Sequence, residues 1–138
     1  MSLNSIHELI QPVLIYIFIA FLLQILTKIP LALAQYKAGY NNHHPREQQN
    51  QLQGWGKRAH GAHLNTFEAF PGFAIGAVIA ALWGPQDIIQ PLCLTFLIAR
   101  IVYVVCYLAD ISTLRTLVWG VGYFATLGLY ILPWLKLS

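Results

Sequence analysis

Polar side chains recur at helical spacing inside stretches of this sequence that are otherwise apolar. Arg58, Gly61, Asn65, Glu68 and Gly72 follow one another at steps of three and four, which is one face of a helix. Later in the chain Arg100, Tyr103, Tyr107 and Asp110 repeat the pattern. Guanidinium, amide, carboxylate and phenol groups gathered in this way suit two purposes. They can bind an anionic small molecule, or they can pair helices across a bundle. An ionisable residue within a membrane costs about 2.5–3.5 kcal/mol on insertion scales and usually faces a bundle interior or a cavity. Periodicity does not choose between the two purposes, because an Asn, a Glu–Arg pair and tyrosines at helix interfaces also hold bundles together.

The remaining reactive side chains offer less. His43 and His44 are adjacent in a polar stretch, and His60 and His63 stand three apart. Zinc takes three or four ligands of matched geometry, so no metal site is expected. Cys93 and Cys106 are thirteen residues apart. On one helix that is about 20 Å, too far for a disulfide, and both are read as small apolar filler.

The elements that must position these groups follow from composition. Of the 138 residues, 57% are hydrophobic and 9% charged, against roughly 25% charged in a soluble domain. So few charges cannot cover a water-facing surface, and the bilayer is the natural solvent. The net charge of +3 is modest and its basic residues form no stripe, so nucleic-acid binding is not expected. Residues 9–27, 69–86 and 116–135 lack Asp, Glu, Lys and Arg, and 88–109 holds Arg100 alone. A bilayer-spanning helix needs about 20 apolar residues. No run alternates polar and apolar residues as barrel strands do. The expected fold is an all-α integral membrane protein, one domain over 1–138, with four helices near 9–35, 57–83, 87–109 and 113–135.

The first run, 13–26, precedes Ala32-Leu33-Ala34, a sequence that looks like a signal-peptidase site. The first eight residues contain no Lys or Arg, so the basic segment of a signal peptide is missing and a retained helix is expected. Lys28 near its end is expected to reach for the headgroups, and Trp55, Trp83, Trp119 and Trp134 mostly mark span ends. Residues 36–56 form a polar, turn-rich link, Gly84-Pro85-Gln86-Asp87 a tight turn, and Asp110 to Thr113 a third link where Asp110 or Ser112 could cap the last helix. Lys37, Arg46, Lys57, Arg58 and Arg115 lie at the first and third links, against Lys136 on the other side. The positive-inside rule then sets those links in the cytoplasm and both termini opposite.

Depth predicts which polar groups meet. Glu68 lies ten residues past Arg58, and Arg100 ten before Asp110, so both stand about 15 Å from the inner boundary. A Glu68–Arg100 pair is expected. By the same count Asn65 is level with Tyr103, and Gly61 with Tyr107. Pro71 removes a backbone hydrogen bond one turn beyond Glu68 and is expected to bend the helix.

The string from Arg58 to Pro71, with Arg58-Ala59, Asn65, Glu68 and Pro71 in order, resembles the helix-two signature of the MAPEG superfamily of membrane-bound glutathione and eicosanoid proteins. Ala99-Arg100-Ile101-Val102-Tyr103, then Tyr107-Leu108 and Arg115, is similar to its second signature. Asn42-His43-His44-Pro45-Arg46 and Gly54-Trp55 look like its bacterial branch. The resemblance covers nearly the whole chain. It implies a homotrimer holding glutathione, as co-substrate, between subunits near the cytoplasmic side. It further implies a transferase or peroxidase for apolar electrophiles or lipid hydroperoxides, with membrane lipids as surroundings. Alternatives are a fold member without chemistry that serves as an assembly partner, and a lipid-binding protein. Carried over by motif, Asn65, Glu68, Arg100 and Tyr107 bind the tripeptide, with Tyr103 and Arg58 beside them, and Arg115 holds the thiolate. A thiol has a pKa of about 8.5 and reacts as the thiolate. A guanidinium in the first turn of a helix adds to the helix's positive end in favouring that anion. The family's enzymes carry Arg four residues before the helix-two Asn, where this chain has Gly61. A bidentate partner for a carboxylate is therefore missing at that position.

Overall fold

The computed structural model describes residues 2–136, which are helical over most of their length. The helices are α1 (Leu3–Leu26), α2 (Lys28–Lys37), α3 (Pro45–Gln51), α4 (Gly54–Trp83), α5 (Gln86–Leu108) and α6 (Ser112–Lys136). Among the described residues four stretches are long and apolar enough to cross a membrane: Leu3–Lys37, Gly54–Trp83, Gln86–Leu108 and Ser112–Leu135. α4, α5 and α6 pack against one another, α1 lies on α4 and α5, and α2 on α4.

α1 and α2 form a single span interrupted at Thr27. Pro30 supplies no N–H to the Leu26 carbonyl, so the helix ladder fails there. The Thr27 hydroxyl donates to the Gln24 carbonyl at 2.8 Å and lies 3.0 Å from His63 Nδ1 on α4. His63 is thus a packing partner of the break. Pro71, in contrast, sits inside an α4 that stays one helix from Gly54 to Trp83.

The polar link between the first two spans has more structure than its turn residues predict. Asn41 Oδ1 accepts from the backbone N–H groups of His43 and His44. This turn delivers the chain to Pro45, whose fixed φ suits the first position of α3. The Gln48 amide donates to the Gly39 carbonyl at 2.9 Å, and the Gln49 amide donates to Gln35 Oε1 at 3.0 Å. Glutamines that read as solvated loop therefore clamp α3 onto the end of α2.

The core is built from small and aromatic residues at helical spacing. α4 buries Ala59, Ala62, Thr66, Phe73, Gly76 and Ala77, and α5 buries Ile89, Cys93, Phe96, Arg100, Tyr103 and Cys106. The rings of Phe73 and Phe96 stack with centroids 3.9 Å apart. Gly76 lets α6 approach, for a Cβ there would strike the Tyr130 ring. The Tyr130 hydroxyl donates to the Gly72 carbonyl at 2.9 Å. Gly72 serves through that carbonyl, since a Cβ at Gly72 would meet open space. Cys93 and Cys106 are buried free thiols.

Candidate functional site

α4 and α5 run antiparallel, joined by the short turn at Gly84 and Pro85, and the register follows from that turn. Arg58 Nη1 lies 3.5 Å from Asp110 Oδ2, and its Nε donates to the Leu108 carbonyl at 3.3 Å. Asp110 is held for this contact by the way α5 ends. Its φ is +63°, while its N–H bonds the Tyr107 carbonyl and the Ile111 N–H bonds the Cys106 carbonyl. This is a Schellman closure with Asp in the place Gly usually takes. Asp110 thus closes α5, and α6 begins only at Ser112.

One turn deeper, Gly61 faces Tyr107 so closely that a Cβ on Gly61 would land against the phenol. The depth count gave this level correctly. Arg115, in the first turn of α6, lays its guanidinium over the Tyr107 ring, 4.4 Å from the centroid. Tyr107 in turn meets Tyr103 edge to face at 5.5 Å.

Deeper still lies Arg100, only 3% exposed. Its stem passes Gly122 of α6, where a Cβ would touch its Cδ. Its guanidinium stands 4.3 Å over the Tyr103 ring. Nη2 donates to Asn65 Oδ1 at 2.9 Å and to Thr66 Oγ1 at 3.4 Å, and the Thr66 hydroxyl in turn donates to the Ala62 carbonyl. Nε is buried with no hydrogen-bond partner among the described residues.

The expected Glu68–Arg100 pair does not form within the chain. Among the described residues the ion pair is Arg58–Asp110, and Glu68 is exposed. Height is not the cause. At 100° per residue, a group lying between Asn65 and Thr66 is turned about 110° from Glu68. Arg100 also folds toward the C-terminal end of α5, onto Tyr103, and so below the level of Glu68.

Arg58, Asn65, Arg100, Tyr103, Tyr107 and Arg115 thus stand in one column where α4, α5 and the start of α6 meet, with Glu68 at its outer edge. Thr66 is the member that sequence reasoning missed. It lies one position off the polar stripe, and its azimuth between stripe and core becomes legible only with α5 in place.

The MAPEG family model matches residues 11–135. The chain belongs to the MAPEG family. Neither the curated proteins nor the solved structures gave a match to it. MAPEG members are four-helix membrane proteins, and they include glutathione transferases and peroxidases as well as members without catalysis. This MAPEG protein is accordingly an integral, multi-pass membrane protein.

Its column also explains how a MAPEG chain accommodates Gly61. The Tyr107 phenol fills the space beside it, and Arg58, one turn nearer the helix start, is engaged with Asp110 and Leu108. An arginine introduced at Gly61 would have to displace Tyr107 before it could reach a ligand.

Proposed function

We propose that this MAPEG protein is a membrane-embedded, glutathione-dependent transferase or peroxidase acting on apolar electrophiles or lipid hydroperoxides. The observation that carries this is Arg100. A buried guanidinium that lies on the Tyr103 ring and bonds the neutral Asn65 and Thr66, with no carboxylate partner among the described residues, carries a charge that an anionic tripeptide would neutralise. Glu68 at the outer edge of the column suits the ammonium of the same ligand.

In the proposed reaction Arg115 holds the thiolate. The Tyr107 face beneath its guanidinium keeps that group from swinging into water. In transfer, the sulfur attacks an electrophilic carbon, a C–S bond forms, and the leaving group departs with its electron pair. In peroxidase turnover, two glutathiones are oxidised to the disulfide while the hydroperoxide is reduced to an alcohol and water. The electrophile reaches the column laterally from the hydrocarbon.

A homotrimer belongs to this proposal, as does the cytoplasmic placement of the first and third links, where Lys37, Arg46, Lys57, Arg58 and Arg115 cluster. A specific observation favours a second assignment, a structural member without chemistry: Tyr107 occupies the space at Gly61.

Glutathione titration of the purified protein in detergent, read by calorimetry and by thiolate ultraviolet absorbance, separates the two. The enzyme should bind glutathione at millimolar concentration and show the thiolate band. Arg115→Ala should abolish the band and conjugation of a model electrophile while leaving thermal stability within about 1 kcal/mol, since a half-exposed Arg at a helix start contributes little to folding. Absence of binding by the parent protein would leave the structural assignment standing.

A further inference from the structure

One face of α6 carries an aromatic strip beside the Arg100 column. Trp119 follows Arg115 by four residues, Tyr123 by eight and Tyr130 by fifteen. At 100° per residue, Trp119 and Tyr123 lie within about 20° of Tyr130. Tyr130 faces α4, where its hydroxyl donates to the Gly72 carbonyl, so the other two rings lie on the same side. They are 43% and 54% exposed, however, and α4 leaves them uncovered. α5 fills the space between. Arg100 passes Gly122 of α6 to reach Asn65 of α4, and Tyr107 lies between Gly61 of α4 and Arg115 of α6. The column is therefore the floor of a cleft, and Trp119 and Tyr123 form its α6 wall. Equal steps back along the helices from Gly72 and Tyr130 set Tyr123 level with Asn65, and Trp119 with Gly61.

Two properties of the strip point to its ligand. The rings are tilted by only 17° with centroids 5.3 Å apart, so together they offer one flat surface. Neither the indole N–H nor the Tyr123 hydroxyl has a hydrogen-bond partner among the described residues. Aromatic belts lie at span ends, whereas Tyr123 stands about 16 Å along α6 from Ser112, near the middle of the span. A phenol at that depth needs an acceptor that lipid tails do not supply. Self-association through Leu64, Phe67, Pro71 and Ile75 leaves the strip open, because that face is turned about 100° from Gly72 and Gly76, which meet α6.

We propose that this strip seats the electrophile, and that the electrophile is a flat conjugated carbonyl compound of the quinone class. The proposal rests on the glutathione assignment and names the substrate of that site. A flat ring stacks on Trp119, and its carbonyl accepts from the Tyr123 hydroxyl. An alkyl chain would use neither the flat surface nor the donor. The sulfur held at Arg115 forms a C–S bond to a ring carbon, and the electron pair of the C=C bond passes to the carbonyl oxygen. That oxygen takes up the proton that the thiol gave up, relayed by the Tyr123 hydroxyl. The hydrogen on the attacked carbon then moves, as a proton, to the second oxygen. The product is a hydroquinone thioether; no leaving group departs and no outside oxidant is needed.

The test titrates the detergent-solubilised protein, without glutathione, with menadione, naphthalene and cyclohexanone, read by calorimetry. The parent protein should bind menadione, which is flat and has carbonyls, more tightly than either of the others. Trp119→Leu keeps apolar bulk and loses the flat face; it should weaken menadione and naphthalene by about twofold to tenfold, the range for an aromatic pair. Tyr123→Phe keeps the ring and loses the donor; it should weaken menadione by about twofold to tenfold, as for one hydrogen bond, and leave naphthalene unchanged. Trp134→Leu, an exposed aromatic at the far end of α6, should change neither. With glutathione added, menadione should be consumed above the spontaneous rate, and Tyr123→Phe should slow this. Unchanged menadione affinity in Trp119→Leu or Tyr123→Phe would overturn the proposal, as would an equal loss in Trp134→Leu. A parent protein that binds both glutathione and menadione without accelerating their addition would overturn it too. Menadione binding that meets these expectations in a protein with no affinity for glutathione would instead remove the transferase assignment, and the addition step with it.

Discussion

At the scale of single residues, the unusual feature is a buried cation with neutral partners. An Arg–Glu pair would make removal of either partner strongly destabilising, because the other charge would be stranded. The observed contacts reverse that expectation for Arg100. Arg100→Met removes a desolvated charge and strands only Asn65, which is half-buried, and Thr66, which keeps its bond to the Ala62 carbonyl. We expect it to change stability by less than about 1 kcal/mol. Asn65→Leu leaves the guanidinium without its shortest hydrogen bond and should cost about 1.5–3 kcal/mol, the range for bonds to charged groups. Denaturation in detergent measures both. If Arg100→Met proves the costlier change, the guanidinium is compensated in a way these contacts do not describe.

At the scale of elements, the contact between α4 and α5 rests on a glycine and on a helix end. Gly61→Ala drives a methyl into Tyr107 and should destabilise by about 1–3 kcal/mol, the usual cost of overpacking. Combining it with Tyr107→Leu should recover part of that loss. A double-mutant cycle showing no coupling would mean that the two helices do not meet there. The α5 terminus gives an opposite sign. Asp110 has positive φ and its ion pair with Arg58 is largely exposed. Asp110→Gly gains conformational freedom where a left-handed residue is needed and loses a surface pair that contributes about 0–1 kcal/mol. The variant should be as stable as the parent or slightly more so in thermal unfolding, whereas Asp110→Val should lose about 1–2 kcal/mol to left-handed strain.

At the scale of the whole molecule, one face of α4 is unfinished. Leu64, Phe67, Pro71 and Ile75 are exposed along it, with the carboxylate of Glu68 among them. Apolar groups on that face could lie in lipid, but a carboxylate at that depth is costly. Self-association that covers this face relieves the cost, and the proposed homotrimer does so. Native mass spectrometry from a mild detergent should give three times the chain mass. Leu64→Trp, placed on the same face, should raise the monomer fraction with helicity unchanged. A parent protein that stays monomeric at micromolar concentration would exclude the trimer.

The sequence by itself determined the solvent, the four spans and the heights of the polar groups, because those depend on composition, on 1.5 Å per residue and on one short turn between α4 and α5. Arg58 opposite Asp110 and Gly61 opposite Tyr107 are consequences of that counting. What only the tertiary structure decided was rotation about the helix axes. Side-chain volumes at Phe73, Gly76, Phe96 and Tyr130 set that rotation, and no single helix carries the information. Hence Arg100 turns to Asn65 and Thr66 while Glu68 at matching height faces outward, and Asp110 closes one helix without opening the next. The α1–α2 break and the helix in the first link were likewise hidden. Pro30 and the glutamines act there through Thr27, His63 and Gln35, and those contacts exist only once α1–α2 has packed beside α3 and α4.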